Sequence, residues 1–265
     1  MYSRLRLAQK YLRYYLTAAN GKGHGIHSPF VFEFVTKVLN DSHRYPAYHP
    51  IEKLRRRLLG DQTRLPVEDM GAGSAFTTTT HNRTIASIAR RAAKPKPLGQ
   101  LLHRVARYYQ PATILELGTS LGLSTAYLAS GAPGAATYSI EGAPAIAAAA
   151  EGNLQALHLP AKIITGPFEK VLPTLLPSLP PVDLAFIDGN HRQEPTLRYF
   201  ELLLRHISPS AILIFDDIHW SAEMEAAWSA IRTDPRVCLT IDVFFLGFVI
   251  FRDEFKAKQN FVIRF

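Results

Sequence analysis

Cysteine is almost absent. Cys238 is the single one in 265 residues, so no internal disulfide framework can staple the chain. No apolar run reaches the ~18 residues that a bilayer span needs. The opening stretch MYSRLRLAQKYLRYYL is basic and amphipathic but lacks the continuous apolar core of a secretory signal. Together these absences lead to the expectation of a protein of the reducing cytoplasm. Acids are scarce at the front: residues 1–64 hold four Asp or Glu against twelve Lys or Arg, while the remainder carries eighteen of each. The net charge of +8 is therefore an N-terminal property. Such an excess can face an acidic substrate, a membrane surface or nucleic acid, but a solvated helical face is the simpler reading.

What is present supports a real core, with apolar residues at 47%. The first sixty residues read as helices broken by NGKGHGIHSP. Tyr11, Leu12, Tyr15 and Leu16 make one helical stripe, FVFEFVTKVL a second helix behind Ser28 and Pro29, and IEKLRRRLLG a third. EDMGAGSAFTTTT reads as a Gly/Ser/Thr loop. RTIASIARRAA resumes helical spacing, and KPKP (Lys94 to Pro97) is the best boundary. This gives a helical N-terminal extension over 1–93 and a second domain over 94–265. His24, His27 and Ser28 sit in a glycine-rich loop of that extension, where a structural loop is the simpler reading and an active-site lid the sharper one.

Beyond Pro97 the chain alternates. ATILELG, ATYSIEG, AKIITG, VDLAFIDG and AILIFDD read as strands with helices between them. VCLTIDVF and GFVIFR follow with no helix between. The expectation is an α/β, Rossmann-like, seven-stranded and mostly parallel sheet with helices on both faces and the last strand antiparallel. NFVIRF is a candidate edge strand. Ligands of such sheets bind at the carboxyl ends of the strands. That gives weight to Glu116, Gly118, Glu141, Gly166, Asp188, Asp216 and Asp217.

ILELGTSLGLSTAYLA is a strand, a glycine turn and a helix, with the pattern ExGxxxG. It is neither GxGxxG nor GxxxxGK[ST], which argues against a phosphate-cradling P-loop and weakens a dinucleotide site. Glu116 before the turn would repel phosphate and suit an ammonium group. Glu141, nineteen residues after Gly122, stands where an acid binds ribose hydroxyls. An acid for a cation and an acid for a ribose suit S-adenosylmethionine (SAM). At the other end of the sheet, Asp188 ends one strand and Asp216 with Asp217 end the next. Three converging carboxylates repel one another without a cation. Mg²⁺ or another divalent ion favours oxygen ligands of this kind.

The ordered set ExGxxxG, second-strand acid, FIDG and IFDD resembles the class I SAM-dependent methyltransferases. Within them it resembles the catechol O-methyltransferase-like enzymes, over roughly residues 92–252. GKGHGIHSPFVF and DDIHW are also similar to a bacterial subgroup of methyltransferases. The resemblance implies that Glu116, Gly118, Ser120, Gly122 and Ser124 shape the methionine end of the cofactor pocket. It implies that Glu141, followed by Gly142, binds ribose, that Gly166, Pro167 and Phe168 line the adenine, and that Asp188 borders both cofactor and acceptor. Ser120 is smaller than the aromatic sometimes found at its position in the family. The family's metal trio is Asp, Asp, Asn, and here Asp188, Asp216 and Asp217 occupy those positions. The extra negative charge either retains a metal or lets one acid act as a base.

His191 stands where catechol O-methyltransferases carry the lysine that takes the substrate proton. It is a candidate base beside Asp188 and Asp216; a partner orienting Asp188 or a helix-start residue are the other readings. His219 is a candidate ligand or base, and Trp220 a substrate wall or core residue. The function expected is methyl transfer to a small-molecule acceptor, a hydroxyl first. Amine-methylating relatives usually carry [DNS]PP[YF] where this chain has DGNH, which disfavours a nucleic-acid methyltransferase. A non-catalytic SAM-binding module is the third reading, and a homodimer is left open.

Overall fold

Two periodicities in the sequence become two kinds of element. The computed structural model describes residues 1–68, 80–252, 254–255 and 257–265. Helix α1 (Arg4–Thr17) starts behind Ser3, whose hydroxyl accepts the Arg6 N–H. Helix α2 (Pro29–Glu33) begins on Pro29 behind Ser28 and runs on as a π-helical stretch, Phe34–Leu39. Helix α3 covers Tyr48–Gly60. Strands β1 (Arg64–Glu68) and β2 (Thr80–Thr84) pair antiparallel, which the sequence reading did not anticipate. The Gly/Ser/Thr loop expected between them lies outside the described residues. Thr84 caps α4 (Ile85–Ala92), and α5 follows over Lys96–Tyr109 with Pro97 in its first turn.

The alternation then holds to the end of the seventh strand. The order is β3 (Thr113–Leu117), α6 (Leu123–Gly131), β4 (Ala136–Glu141), α7 (Pro144–Ala156), β5 (Lys162–Thr165), α8 (Phe168–Leu175), β6 (Val182–Ile187), α9 (Gln193–Leu204) and β7 (Ile207–Asp216). After α10 (Ala222–Thr233) come β8 (Leu239–Asp242), β9 (Leu246–Ile250) and β10 (Gln259–Val262). Eight strands form a sheet in the order β10-β8-β9-β7-β6-β3-β4-β5. Strand β9 runs antiparallel to both β7 and β8. The mostly parallel sheet is as expected, and GFVIFR, read as the antiparallel strand, supplies β9. The candidate edge strand at NFVIRF is β10, which makes eight strands in this sheet rather than seven. The last, β10, lies parallel to β8 and takes up the ladder groups of that strand's open edge.

The chain divides into two compact units, residues 42–179 and residues 1–41 with 180–265. In the first, Leu101, Leu102, Ile114, Leu115 and Tyr127 are fully buried. Burial, and a bond from its hydroxyl to Glu52 Oε1 at 2.5 Å, push the Tyr127 phenol well above its ordinary range. In the second unit Phe186, Tyr199, Phe200, Phe215 and Phe248 are buried, and Trp228 of α10 lies against Gly247 of β9.

Helix α1 departs from the sequence reading. Its buried side is Tyr14 and Ala18, which cluster with Phe244, and Leu7, Tyr11 and Val262 pack against that cluster. Leu12 and Leu16 of the expected stripe are exposed. Polar anchors set this rotation. The Tyr14 hydroxyl donates to the Ile263 carbonyl and accepts the Phe265 N–H, and Lys10 pairs with Glu225 at 2.8 Å.

Candidate active site

The glycine turn after β3 is a tight, left-handed loop. Gly118 and Gly122 have φ of 101° and 81°, and Ser120 adopts 47°, a value few L-residues tolerate. What holds Ser120 there is Glu141 at the end of β4. One carboxylate oxygen accepts the Ser120 N–H at 2.8 Å and the other the Ala143 N–H at 3.0 Å. The Gly166 N–H bonds the Glu141 carbonyl at 2.9 Å, and Gly166 itself needs a φ of 146°. The carboxyl ends of β3, β4 and β5 are thus tied together through Glu141. Gly142 follows it, and Pro167 and Phe168 open α8 just beyond Gly166. Ser124 is buried in the first turn of α6.

Glu116 is placed differently from a residue that greets a ligand at a surface. It is fully buried, and its carboxylate accepts the hydroxyls of Thr125, from α6, and Ser139, from β4 at 2.6 Å. Thr119 and Ser139 are linked at 2.5 Å. This hydroxyl shell lets a carboxylate exist in the interior, and it braces the turn from beneath. Sequence reasoning missed Thr125 and Ser139; the available signal was polar hydroxyls at interior positions of a helix and a strand.

In the other unit, three side chains converge. Ligand atoms of Asp188, His191 and Asp216 all lie within 4.8 Å of one another. Asp216 is buried at the end of β7, and Asp188 follows β6. His191 is carried back by Asn190, whose φ is 58° and whose amide donates to the Tyr199 hydroxyl at 3.2 Å. His191 Nε2 ends 3.5 Å from Asp188 Oδ1. Two carboxylates and an imidazole fit a divalent cation. The nitrogen donor moves the preference from Mg²⁺ toward Mn²⁺ and its neighbours.

Asp217 is not in this group. Strand β7 ends at Asp216, and Asp217 turns the chain with a φ of 53°. Its N–H bonds the Phe245 carbonyl at 2.8 Å and its own carbonyl accepts the Trp220 N–H at 2.9 Å. The third member expected from the sequence is thus replaced in the cluster by His191.

His219 has a carboxylate against each ring nitrogen. Its Nε2 faces Asp242 Oδ2 at 2.9 Å and its Nδ1 faces Glu225 Oε1 at 3.0 Å, while the ring stacks on Phe244. Burial works to lower its pKa, but the Asp242 and Glu225 carboxylates outweigh burial and raise it above the ordinary histidine value. Burial would raise Glu225, and bonds from Lys10, Tyr2 and His219 reverse this and lower it. The Tyr2 hydroxyl donates to Glu225 at 2.8 Å, and its N–H bonds the Trp220 carbonyl at 3.0 Å. The segment after Asp217 is therefore fastened to α1. No residue pattern signalled this network beforehand.

Comparison with known proteins places this geometry. A methyltransferase domain family matches residues 115–218. A catechol O-methyltransferase of Mycobacterium tuberculosis is 32% identical over 123 residues, covering 45% of this chain and 54% of that protein. The chain thus matches about half the length of this curated relative. The O-methyltransferase TomG of Streptomyces achromogenes, involved in tomaymycin synthesis and solved with SAM, superposes with a TM-score of 0.50. It is 26% identical, with 60% of this chain and 80% of that one covered. The SAH-bound methyltransferase PaMTH1 of Podospora anserina superposes with a TM-score of 0.58 at 16% identity, over 96% of this chain and 98% of that one. Residues 115–218 thus match a methyltransferase domain family, and the sheet with its ordered strand ends has the Rossmann-like fold of the solved methyltransferases.

Proposed function

We propose that the protein transfers a methyl group from SAM to a hydroxyl oxygen of a small molecule. The observation that carries this reading is the extent of the matched segment. It starts in β3 and ends just past β7, and so contains both the Glu141-locked loop and the Asp188–His191–Asp216 group. When bound, SAM would supply an electrophilic methyl on a sulfonium, open to in-line attack by an alkoxide or phenoxide oxygen with S-adenosylhomocysteine (SAH) as the leaving thioether.

The chain's own residues have separable tasks. Glu141 offers the carboxylate lone pairs left by Ser120 and Ala143 to ribose hydroxyls. Gly118, Ser120, Gly122 and Ser124 shape the methionine end, with Glu116 bracing the turn. Gly142, Gly166, Pro167 and Phe168 border the base. Asp188 and Asp216 hold the acceptor hydroxyl and favour its deprotonation, directly or by holding a cation that lowers its pKa. His191 serves either as the third ligand of that cation or as the base. It cannot be both at once, because the Nε2 lone pair is used either way. The reading takes a small-molecule acceptor in the cytoplasm and ranks nucleic acid below it as target. It treats residues 1–93 as an extension of the methyl-transfer domain.

The test is transfer of labelled methyl from SAM to a panel of catechols and other hydroxyl compounds, with Mn²⁺, with Mg²⁺ and with chelator. The expected result is O-methylated product that depends on Asp188. SAM binding with no transfer to any acceptor would instead identify a binding module. Loss of turnover in chelator, restored by Mn²⁺, favours His191 as ligand. Metal-independent turnover that His191→Gln abolishes favours His191 as base.

A further inference from the structure

Helix α1 presents a second apolar stripe, opposite its buried face. Leu5, Leu12 and Leu16 lie seven and eleven residues apart on a helix of 3.6 residues per turn, so they share one side. They are 71%, 59% and 70% exposed. Arg6 and Arg13 are exposed along one flank and Arg4 along the other, and the Arg264 guanidinium sits over the Tyr15 ring at 4.8 Å. Residues 1–32 contain five Lys or Arg and no acid. Lys10 is spent inward on Glu225, and Tyr14 holds the far end of the helix. The helix is thus formed and fixed before anything reaches its outer face, which removes an ordering cost from association.

We propose that this outer face docks on an anionic lipid bilayer surface. The leucines enter the boundary between headgroups and acyl chains while the arginines meet lipid phosphates, the arrangement of an interfacial amphipathic helix. A second copy of the chain is a poorer occupant, because symmetric pairing would bring Arg4, Arg6 and Arg13 of both copies together with no acid on either copy of α1. Nucleic acid is poorer too. Its phosphates would meet aliphatic leucines at the centre of the face and find arginines only at the flanks. Three leucines are few, so the attachment is peripheral and salt-sensitive.

Flotation of the full chain with phosphatidylcholine vesicles, with and without phosphatidylglycerol, tests this. Binding to the anionic vesicles only, released by high salt, is expected. Leu12→Asp with Leu16→Asp should lower partitioning about tenfold or more. Arg4→Gln with Arg13→Gln should lower it chiefly at low salt. The substituted side chains are exposed, and unchanged melting temperatures would verify intact folding. Three results would each overturn the proposal: no binding to anionic vesicles at low salt, binding that the leucine variant leaves unchanged, or a dimer by light scattering that the leucine variant splits. A salt-sensitive RNA complex formed in place of vesicle binding would overturn it in favour of nucleic acid.

Discussion

At His219 the imidazole has a carboxylate against each ring nitrogen, and both contacts are best made when both nitrogens carry protons. Because the folded pKa is raised, the stability this residue adds is fully present below its unfolded value of about 6.5 and is lost as pH rises through the folded value. Glu225 has the opposite sense. Its folded pKa is lowered, so its contribution is present above about 4.5 and lost as pH falls. Thermal melts from pH 5 to 9 should therefore show stability declining above the histidine range, and His219→Gln should flatten that decline. The substitution also removes the cationic partner of the buried Asp242, which keeps the Phe244 N–H on its other oxygen. A second expectation concerns the acids. Asp188→Asn and Asp216→Asn should each lower turnover about a hundredfold with SAM affinity nearly kept. Asp217→Asn, which tolerates the left-handed backbone, should change turnover little. Equal losses at all three positions would return Asp217 to the cluster. Asp217 could not be sorted from Asp216 in the sequence, because adjacency along the chain hides that the strand ends between them and the backbone turns left-handed at Asp217.

Elements were legible where their period was clean. The βα alternation after Pro97 and the Ser28–Pro29 helix start follow from spacing and capping alone. The β1–β2 pair was not legible, since RLPVE and THNRT lack apolar alternation and one contains proline. The buried side of α1 was hidden because the helix carries apolar residues on two sides and the choice rests on partners in β10 and α10, far along the chain. Two predictions belong to this scale. Strand β9 and helix α10 approach so closely at Gly247 that an added Cβ would lie 2.7 Å from the Trp228 ring. Gly247→Ala should therefore destabilise by about 1–3 kcal/mol in denaturant titration. The turn after β3 depends on the Glu141 carboxylate. Glu141→Ala should weaken SAM binding at least about tenfold by calorimetry while β3 and β4 keep their pairing.

For the whole molecule, ligand linkage gives the simplest check. S-adenosylhomocysteine at about a hundred times its dissociation constant should add about 2.7 kcal/mol, a rise of roughly 5–10 °C in melting temperature for a chain of this size. NAD at the same concentration should leave the melt unchanged. The front-loaded positive charge was visible from composition, but what it accompanies was not. Only the fold shows that the leucines between those arginines face outward.

The bridge between Ala19 and Ile263 has a practical consequence. The Ala19 N–H and carbonyl bond Val262 and Arg264 and so cover part of the outer edge of β10, the last strand on that side of the sheet. A deletion that strips off α1 together with Ala19 would bare that edge, and bared edges recruit strands from other molecules. A truncated protein should therefore precipitate or swap strands during purification, whatever α1 binds. Point substitutions on the outer leucines leave the edge closed and keep solubility separate from recruitment.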